Sequence, residues 1–244
     1  MPDQNALGQP LGFALPNWQA PELPSADPMH GRFCRLERLD ASRHAASLFA
    51  ANATDTDERR WTYLPYGPFA TLAAYTAWLD EMSRRTDPFL YAIIDSATDR
   101  AVGLAGYLRI DPANGSIEVG HLNYSPLLQR TPAATEAMYL MMTRAFALGY
   151  RRYEWKCHSL NAPSRAAALR LGFTFEGIFR QAAVVKGRSR DTAWHSIIDG
   201  EWPALKQAFE HWLAPANFDE QGAQRIRLAD LMAKIHQAQP TLSE

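Results

Sequence analysis

A chain of 244 residues with a formal net charge of -1 and 21% charged residues has the balance of a globular protein with one substantial core, and it lacks the basic excess of a nucleic-acid binder. No apolar run reaches the length of a membrane span, and the two cysteines, Cys34 and Cys157, give no disulfide framework and suit a reducing cytosol. The opening "MPDQNALGQPLGFALPNW" has neither the basic nor the apolar region of a secretory leader, so the expected location is the cytoplasm, with no membrane or nucleic-acid partner.

Prolines at 2, 10, 16, 21, 24 and 28 forbid a long helix or a central strand over residues 1–29 and predict an extended arm. Phe13, Leu15 and Trp18 give that arm something to lay against the body. "GRFCRLERLD" (31–40) predicts a first strand, and helical stretches follow at 41–51 and 71–85. Between them "TDTDERRWTYLPYGPF" has the aromatic and Pro/Gly content of a ligand-contacting loop. Three strands come next, "PFLYAIID", "RAVGLAGYLRID" and "GSIEVGHLNYS", the last two joined by the Asn114-Gly115 turn of an antiparallel hairpin. A helix runs from 132 to about 148 with apolar spacing at Met138, Met141, Met142 and Ala145. "RRYEWKC" reads as a strand and "NAPSRAAALRLGF" as a short helix ending at Gly172. Two long strands then flank the turn "KGRS", and helices are predicted over "EWPALKQAFEHWL" and over 219–237, before a polar tail. The order β-α-α-β-β-β-α-β-α-β-β contains one βαβ crossover in an otherwise antiparallel sheet, so the fold class is mixed α/β with a mostly antiparallel central sheet of about seven strands. The expected divisions are an arm (1–29), a main domain (30–203) and a helical extension (204–244).

The start of the 132 helix carries the first chemical signal. Thr131 is placed as its N-cap, and Pro132 sits at N1, where a missing N–H costs nothing. Ala133 and Ala134 leave their N–H groups unobstructed, while the nearest acid, Glu136, comes too late for a capping box. With Arg130 directly before it, this start reads either as an anion site, phosphate being the usual occupant, or as a plain capped helix. A second helix start has Asn161 as N-cap, Pro163 and Ser164 in its first turn, and Arg165 close behind. In a sheet with a βαβ unit, both starts can lie at the carboxyl ends of neighbouring strands around one crevice.

The stretch "IEVGHLNYSPLLQRTPAATEAM", followed after one strand by "LNAPSRAAALRLGFTFEG", resembles the GNAT superfamily of acyl-CoA-dependent N-acyltransferases. Within it the nearest type is the ribosomal-protein N-terminal acetyltransferase (RimJ/RimL-like), and the resemblance spans roughly 30–203. The resemblance implies acetyl-CoA lying between two parallel strands, 115–124 and 152–157. It places pantetheine along the backbone of Leu122, Asn123 and Tyr124, and the pyrophosphate on Gln129, Arg130, Thr131, Ala133 and Ala134. Asn161 and Arg165 are read as further contacts to the same ligand. Pro132 departs from the pattern: it stands where the family has glycine and removes an N–H, leaving Arg130 and the Thr131 hydroxyl to compensate.

The implied reaction moves an acetyl group to a primary amine, of a protein N-terminus or a small molecule, by direct attack in a ternary complex. It needs a proton acceptor for the amine and a donor for the thiolate, but no nucleophilic side chain. Glu118, at the acidic position of the family's Glu-x-Gly strand motif, is the candidate base; pairing with Arg109 is its other reading. His121 is a second base candidate or a packed, hydrogen-bonded histidine. Ser164 matches the serine of an Asn-x-x-Ser motif and is the candidate acid, or else a first-turn hydroxyl or a cofactor contact. Cys157 reads as a buried small hydrophobe, and Cys157, His158 and His195 have no metal-site spacing, so no metal is expected. Trp61, Tyr63 and Tyr66 form either an acceptor-side wall or packing, and the basic tip "VVKGRSRD" is a solvated turn or meets a phosphate or an acidic acceptor.

Two other classes use the same residues: a catalytically silent acyl-CoA-binding module that regulates a partner, and a transferase drawing an aminoacyl group from charged tRNA. The near-neutral charge speaks against the second. Phe209, Trp212 and Leu213 would serve either a homodimer surface or a cover for the monomer's own sheet.

Overall fold

In the computed structural model, which describes residues 3–238, the strands are β1 (Asp3–Gln4), β2 (Pro10–Leu11), β3 (Met29–His30), β4 (Cys34–Arg38), β5 (Phe89–Asp95), β6 (Arg100–Asp111), β7 (Ser116–Tyr124), β8 (Arg152–His158), β9 (Thr174–Val185) and β10 (Arg188–Ile198). The helices are α1 (Ala41–Asn52), α2 (Leu72–Ser83), α3 (Pro132–Ala147), α4 (Ala162–Arg170), α5 (Trp202–Leu213) and α6 (Leu228–Ala238). β1 and β2 make a small hairpin of their own; the other eight form one sheet in the order β3-β4-β5-β6-β7-β8-β10-β9. Only β7 and β8 pair in parallel, through the α3 crossover that the sequence predicts. The expected mixed, mostly antiparallel sheet is present. Its eighth strand is the two-residue β3, hidden in the Pro-rich arm.

The sheet is covered on both faces. Leu48, Tyr75 and Leu79 of α1 and α2 meet Leu90, Ala92 and Leu104 on one side. On the other, Met138 and Met141 of α3 join Tyr107, Val119 and Tyr153, and the same core continues into Phe209 and Trp212 of α5 and Met232 of α6. Phe209 is 0% and Trp212 4% exposed, so these two rings cover the monomer and offer no dimer surface. α6 begins at Leu228, nine residues later than the 219 expected. Asn217 explains the delay: its side chain donates to the carbonyls of Trp212 and Ile226 and accepts from the Ile226 N–H, holding the intervening segment in a loop. The polar tail lies outside the described residues.

Beyond the β1–β2 hairpin, the arm is tied to the body through its backbone carbonyls. Tyr91 donates its hydroxyl to Ser25 O at 2.9 Å, and Arg144 donates to Asp27 O and Pro28 O. Trp18 closes over the β6–β7 turn, where Gly115 at φ +65 has no room for a Cβ: one would stand 2.3 Å from the indole.

One carboxylate fixes α3 against β4. Glu136 is 4% exposed and accepts three successive N–H groups, from Arg32 at 2.8 Å, Phe33 at 2.6 Å and Cys34 at 2.8 Å. Gly31 makes room for it, since a Cβ there would lie 2.3 Å from the carboxyl group. The acid that is too late to cap its own helix therefore secures the entry to the first long strand and sets where the α3 start sits.

Candidate active site

β7 and β8 run side by side only from Ser116↔Arg152 to Val119↔Trp155. Beyond that point β7 stays with β6 as far as Tyr124, and β8 stays with β10 as far as His158↔Thr192. Gly120–Tyr124 and Lys156–His158 therefore face each other without a ladder, and a wedge opens in mid-sheet. A bulge drives the parting: between the pairs Gly106↔Gly120 and Leu104↔Asn123, β7 carries one residue more than β6. His121 absorbs the misfit at φ +52. Such facing strand edges are suited to an extended ligand with amide groups of its own.

The α3 start stands just beyond β7. The Thr131 hydroxyl accepts from the Ala134 N–H at 3.2 Å, as the N-cap reading predicts, and also donates to Leu128 O. Among the described residues the N–H groups of Arg130 and Ala133 meet no acceptor. Arg130 is exposed at φ +61, in the left-handed turn that points successive N–H groups outward. A cavity of about 290 Å³ adjoins this start, between Arg32, Phe33 and Thr131 to Ala133. The predicted contacts divide here. Gln129 is spent on Tyr124 O at 2.9 Å, and the Asn123 amide is buried with neither end bonded. Free N–H groups and a neighbouring arginine suit an anion, and the unpaired strand edges suit an extended ligand with amide groups.

At the apex of the wedge lies a line of charge. Glu118, 4% exposed at its side chain, accepts from Arg109 Nη1 at 2.6 Å and from Lys156 Nζ at 3.0 Å. Lys156 also reaches Glu154 at 2.7 Å, Glu154 pairs with Arg152, and Arg152 with Glu176. Three cations and three anions thus alternate across the sheet face that also carries His121 and Asn123. Burial pushes the Glu118 carboxyl up, Lys156 and Arg109 pull it back, and it rests above the ordinary carboxylate value. Glu118 is thus Arg109's partner, as one sequence reading has it, and its carboxyl is buried at the wedge.

His121 stacks on Tyr66, ring centroids 5.6 Å apart and planes within 4°. Burial, with Arg109 and Arg85 adding repulsion, pushes its pKa down to about 4, so it is neutral at pH 7 and a weak base. A depressed folded pKa means that the unfolded chain binds the proton more tightly. His121 thus supports the fold above pH 6.5, and that support drains away as pH falls toward 4. Between pH 7 and 4.5, urea unfolding of His121→Asn should lose about 2 kcal/mol less stability than wild type does. Asparagine is chosen because it tolerates the left-handed backbone.

Ser164 lies under the wedge, where its Oγ accepts from Trp155 Nε1 at 3.0 Å and its N–H donates to the Asn161 side chain at 3.2 Å. Its own proton is left to give. Arg165 donates to Ser159 O and packs over Phe175, so its guanidinium is turned to protein groups. Cys157 beside Ser164 is buried and pushed up by that burial, a poor thiolate. The loop between α1 and α2 roofs the mouth. Tyr63 bridges to Leu160 O and meets the His158 ring at 5.2 Å. The Lys186 ammonium donates to the carbonyls of Trp61, Tyr66 and Gly67, so the hairpin tip is latched to the loop and not free in solvent. The partners of Lys156, Lys186 and Glu136 escaped the sequence reading. Alternation in "RYEWKCH" marks Glu154 and Lys156 as sharing a face, but which strand supplies their partners is set by register. Among the described residues no His/Cys/Asp/Glu group is placed to hold a metal, and no helix is long and apolar enough to cross a membrane.

Residues 34–174 match the acetyltransferase (GNAT) domain family. A GCN5-related N-acetyltransferase from Brucella melitensis has a TM-score of 0.88 at 51% identity, covering 90% of this chain and 100% of that one. A protein described as a probable GNAT-family acetyltransferase from Chromobacterium violaceum ATCC 12472 gives 0.75 at 45% identity, covering 80% and 98%. An acetyltransferase from Salmonella typhimurium that modifies the N-terminal serine of a 50S ribosomal subunit protein shares the fold, with a TM-score of 0.60 at 20% identity over 70% and 99% of the two chains.

Proposed function

The chain belongs to the GNAT acetyltransferase family, and from that premise we propose that it transfers acetyl from acetyl-CoA directly to a primary amine, of a protein N-terminus or a small molecule. The observation that carries this reading is the parting of β7 from β8 with the α3 start at its mouth. Acetyl-CoA brings the activated acetyl carbon. The backbone of Leu122, Asn123 and Tyr124 borders its path, the N–H groups of Arg130 and Ala133 with the Arg130 side chain suit its pyrophosphate, and Gln129, Thr131 and Ala134 shape that turn. Asn161 and Arg165 position the neighbouring helix start and loop.

In the proposed step the amine nitrogen bonds to the acetyl carbon and the C–S bond breaks. The amine's proton goes to Glu118, directly or through a water, and the Ser164 hydroxyl supplies a proton to the departing sulfur. Glu118 then releases its proton to solvent and Ser164 regains one from solvent, so no net proton is taken up. Holding both partners in one wedge accounts for most of the acceleration. Two unpaired, buried cysteines suit the cytoplasm as the compartment of this enzyme.

Calorimetric titration with acetyl-CoA, followed by thiol release with amines, tests the reading. Micromolar binding is expected, weakened about tenfold in Arg130→Ala through loss of a charge-assisted contact, and strengthened in Pro132→Gly by the restored N–H. Binding in every variant with no thiol release from a broad amine panel would favour the silent binding module instead. No binding at all would sink both.

A further inference from the structure

The charge line across the wedge is closed: Arg109, Lys156 and Arg152 are matched by Glu118, Glu154 and Glu176. Among the described residues, Arg190 is a cation beside this line that has no partner in it. Thr192, Trp194 and Ser196 of β10 lie opposite His158, Lys156 and Glu154, so the even-numbered residues of β10 share the face of the charge line. Arg190 continues that series just past the end of β8, level with the mouth of the wedge. Its guanidinium makes no hydrogen bond and no ion pair among the described residues, and its Nε is buried without a partner. Two places further along the same face of β10, Trp194 Nε1 is likewise unbonded, its ring covered by Lys156 at 3.7 Å. A partly buried guanidinium with no acceptor is costly, and the shape of its donors calls for a carboxylate. Burial pushes the Arg190 pKa down; Cys157 and, more weakly, Glu118 oppose that, and Arg109 adds to it.

Acetyl-CoA does not supply that carboxylate if, as proposed above, its phosphates lie at the α3 start, because its reacting end is a neutral thioester. Resting on that reading, we infer that the amine acceptor is an acid as well as an amine, and that Arg190 binds a carboxylate carried a few bonds from the reacting nitrogen. Arg190 is then a specificity residue, and it takes no part in proton transfer.

Three tripeptide amides, Ala-Asp-Ala, Ala-Asn-Ala and Ala-Lys-Ala, serve as probes of one length with a different charge beside the N-terminus. Thiol release should give a kcat/KM for the Asp peptide about tenfold or more above the Asn peptide, as a charge-assisted bond predicts, with the Lys peptide slowest. Arg190→Gln should bring the Asp/Asn ratio close to one through KM, and Arg190→Glu should shift the preference to the Lys peptide. Acetyl-CoA affinity, measured by calorimetry on each variant, should stay near the wild-type value and reports that the fold is intact. An Asp/Asn ratio near one in wild type, or a ratio unchanged in Arg190→Gln, overturns the inference. Loss of acetyl-CoA binding in Arg190→Gln would assign the residue to the other substrate and also overturn it. Turnover of none of the peptides by protein that binds acetyl-CoA rejects this acceptor class, whereas failure to bind acetyl-CoA removes the underlying acetyl-transfer reading itself.

Discussion

Glu118→Gln is expected to lower kcat by about two to four orders of magnitude, the range for removing a positioned base, while KM for acetyl-CoA changes little. The amide keeps the shape of the carboxylate and accepts one hydrogen bond, but it takes no proton from an amine. In wild type, activity should rise with pH through the Glu118 pKa, which burial holds above the ordinary carboxylate value. That acidic limb should disappear in Glu118→Gln, leaving a low, flat profile. The substitution also weakens the hold on Arg109 and Lys156, so thermal unfolding must be measured beside the kinetics. Lys156 keeps Glu154 at 2.7 Å, and a moderate loss of stability is expected. A variant with kcat within about threefold of wild type and the same acidic limb would show that Glu118 is a brace between two cations and nothing more.

Glu136→Ala should be the most damaging single change to the fold. It strips three N–H groups, that of Cys34 buried and those of Arg32 and Phe33 part-buried, of one acceptor and opens a cavity at the α3–β4 contact. Orphaned buried donors cost roughly 1–3 kcal/mol each, and since the three are not independent, a loss of about 3–5 kcal/mol is expected. For a chain of this size that lowers Tm by roughly 10–15 °C. Glutamine should recover only part, because its NH2 end would face N–H donors. Gly31 provides the internal control. In wild type Gly31→Ala collides with the carboxyl group, whose Cδ would stand 2.3 Å from the new Cβ. In the Glu136→Ala background the obstacle is gone, so the Gly31→Ala penalty should largely vanish. Additive penalties in the double variant would mean that Glu136 does not fill the space over Gly31.

The parts of this molecule that chain-local chemistry dictates were legible beforehand. Thr131-Pro132 announces a helix start, Asn114-Gly115 a tight turn and Gly172 a helix end, and each stands where those residue types require. The βαβ crossover followed from element order. The roles of Glu136, Lys156 and Lys186 were not legible, because each depends on a partner far away in the chain: Glu136 meets residues 32–34, Lys156 meets Glu118, and Lys186 meets residues 61–67. A charge among apolar neighbours announces that it needs a partner without saying which. The late start of α6 has the same origin, since Asn217 imposes a loop where the local pattern allowed a helix.

The outer edge of the sheet has a consequence for behaviour at high concentration. β9 is twelve residues long, ends the sheet, and exposes Phe179 and Val184 at 62% and 79%. A straight strand of that length and composition would be a template for stacking chain upon chain into fibrils, for which about six flat residues suffice. Register shifts divide its pairing with β10 into the runs 174–175, 177–179 and 183–185, and Gln181 at φ +48 turns the backbone between the last two. No run exceeds three residues. The irregularities that make this hairpin look imperfect deny an incoming strand a surface long enough to seed on, and so keep an exposed apolar margin compatible with a dispersed protein.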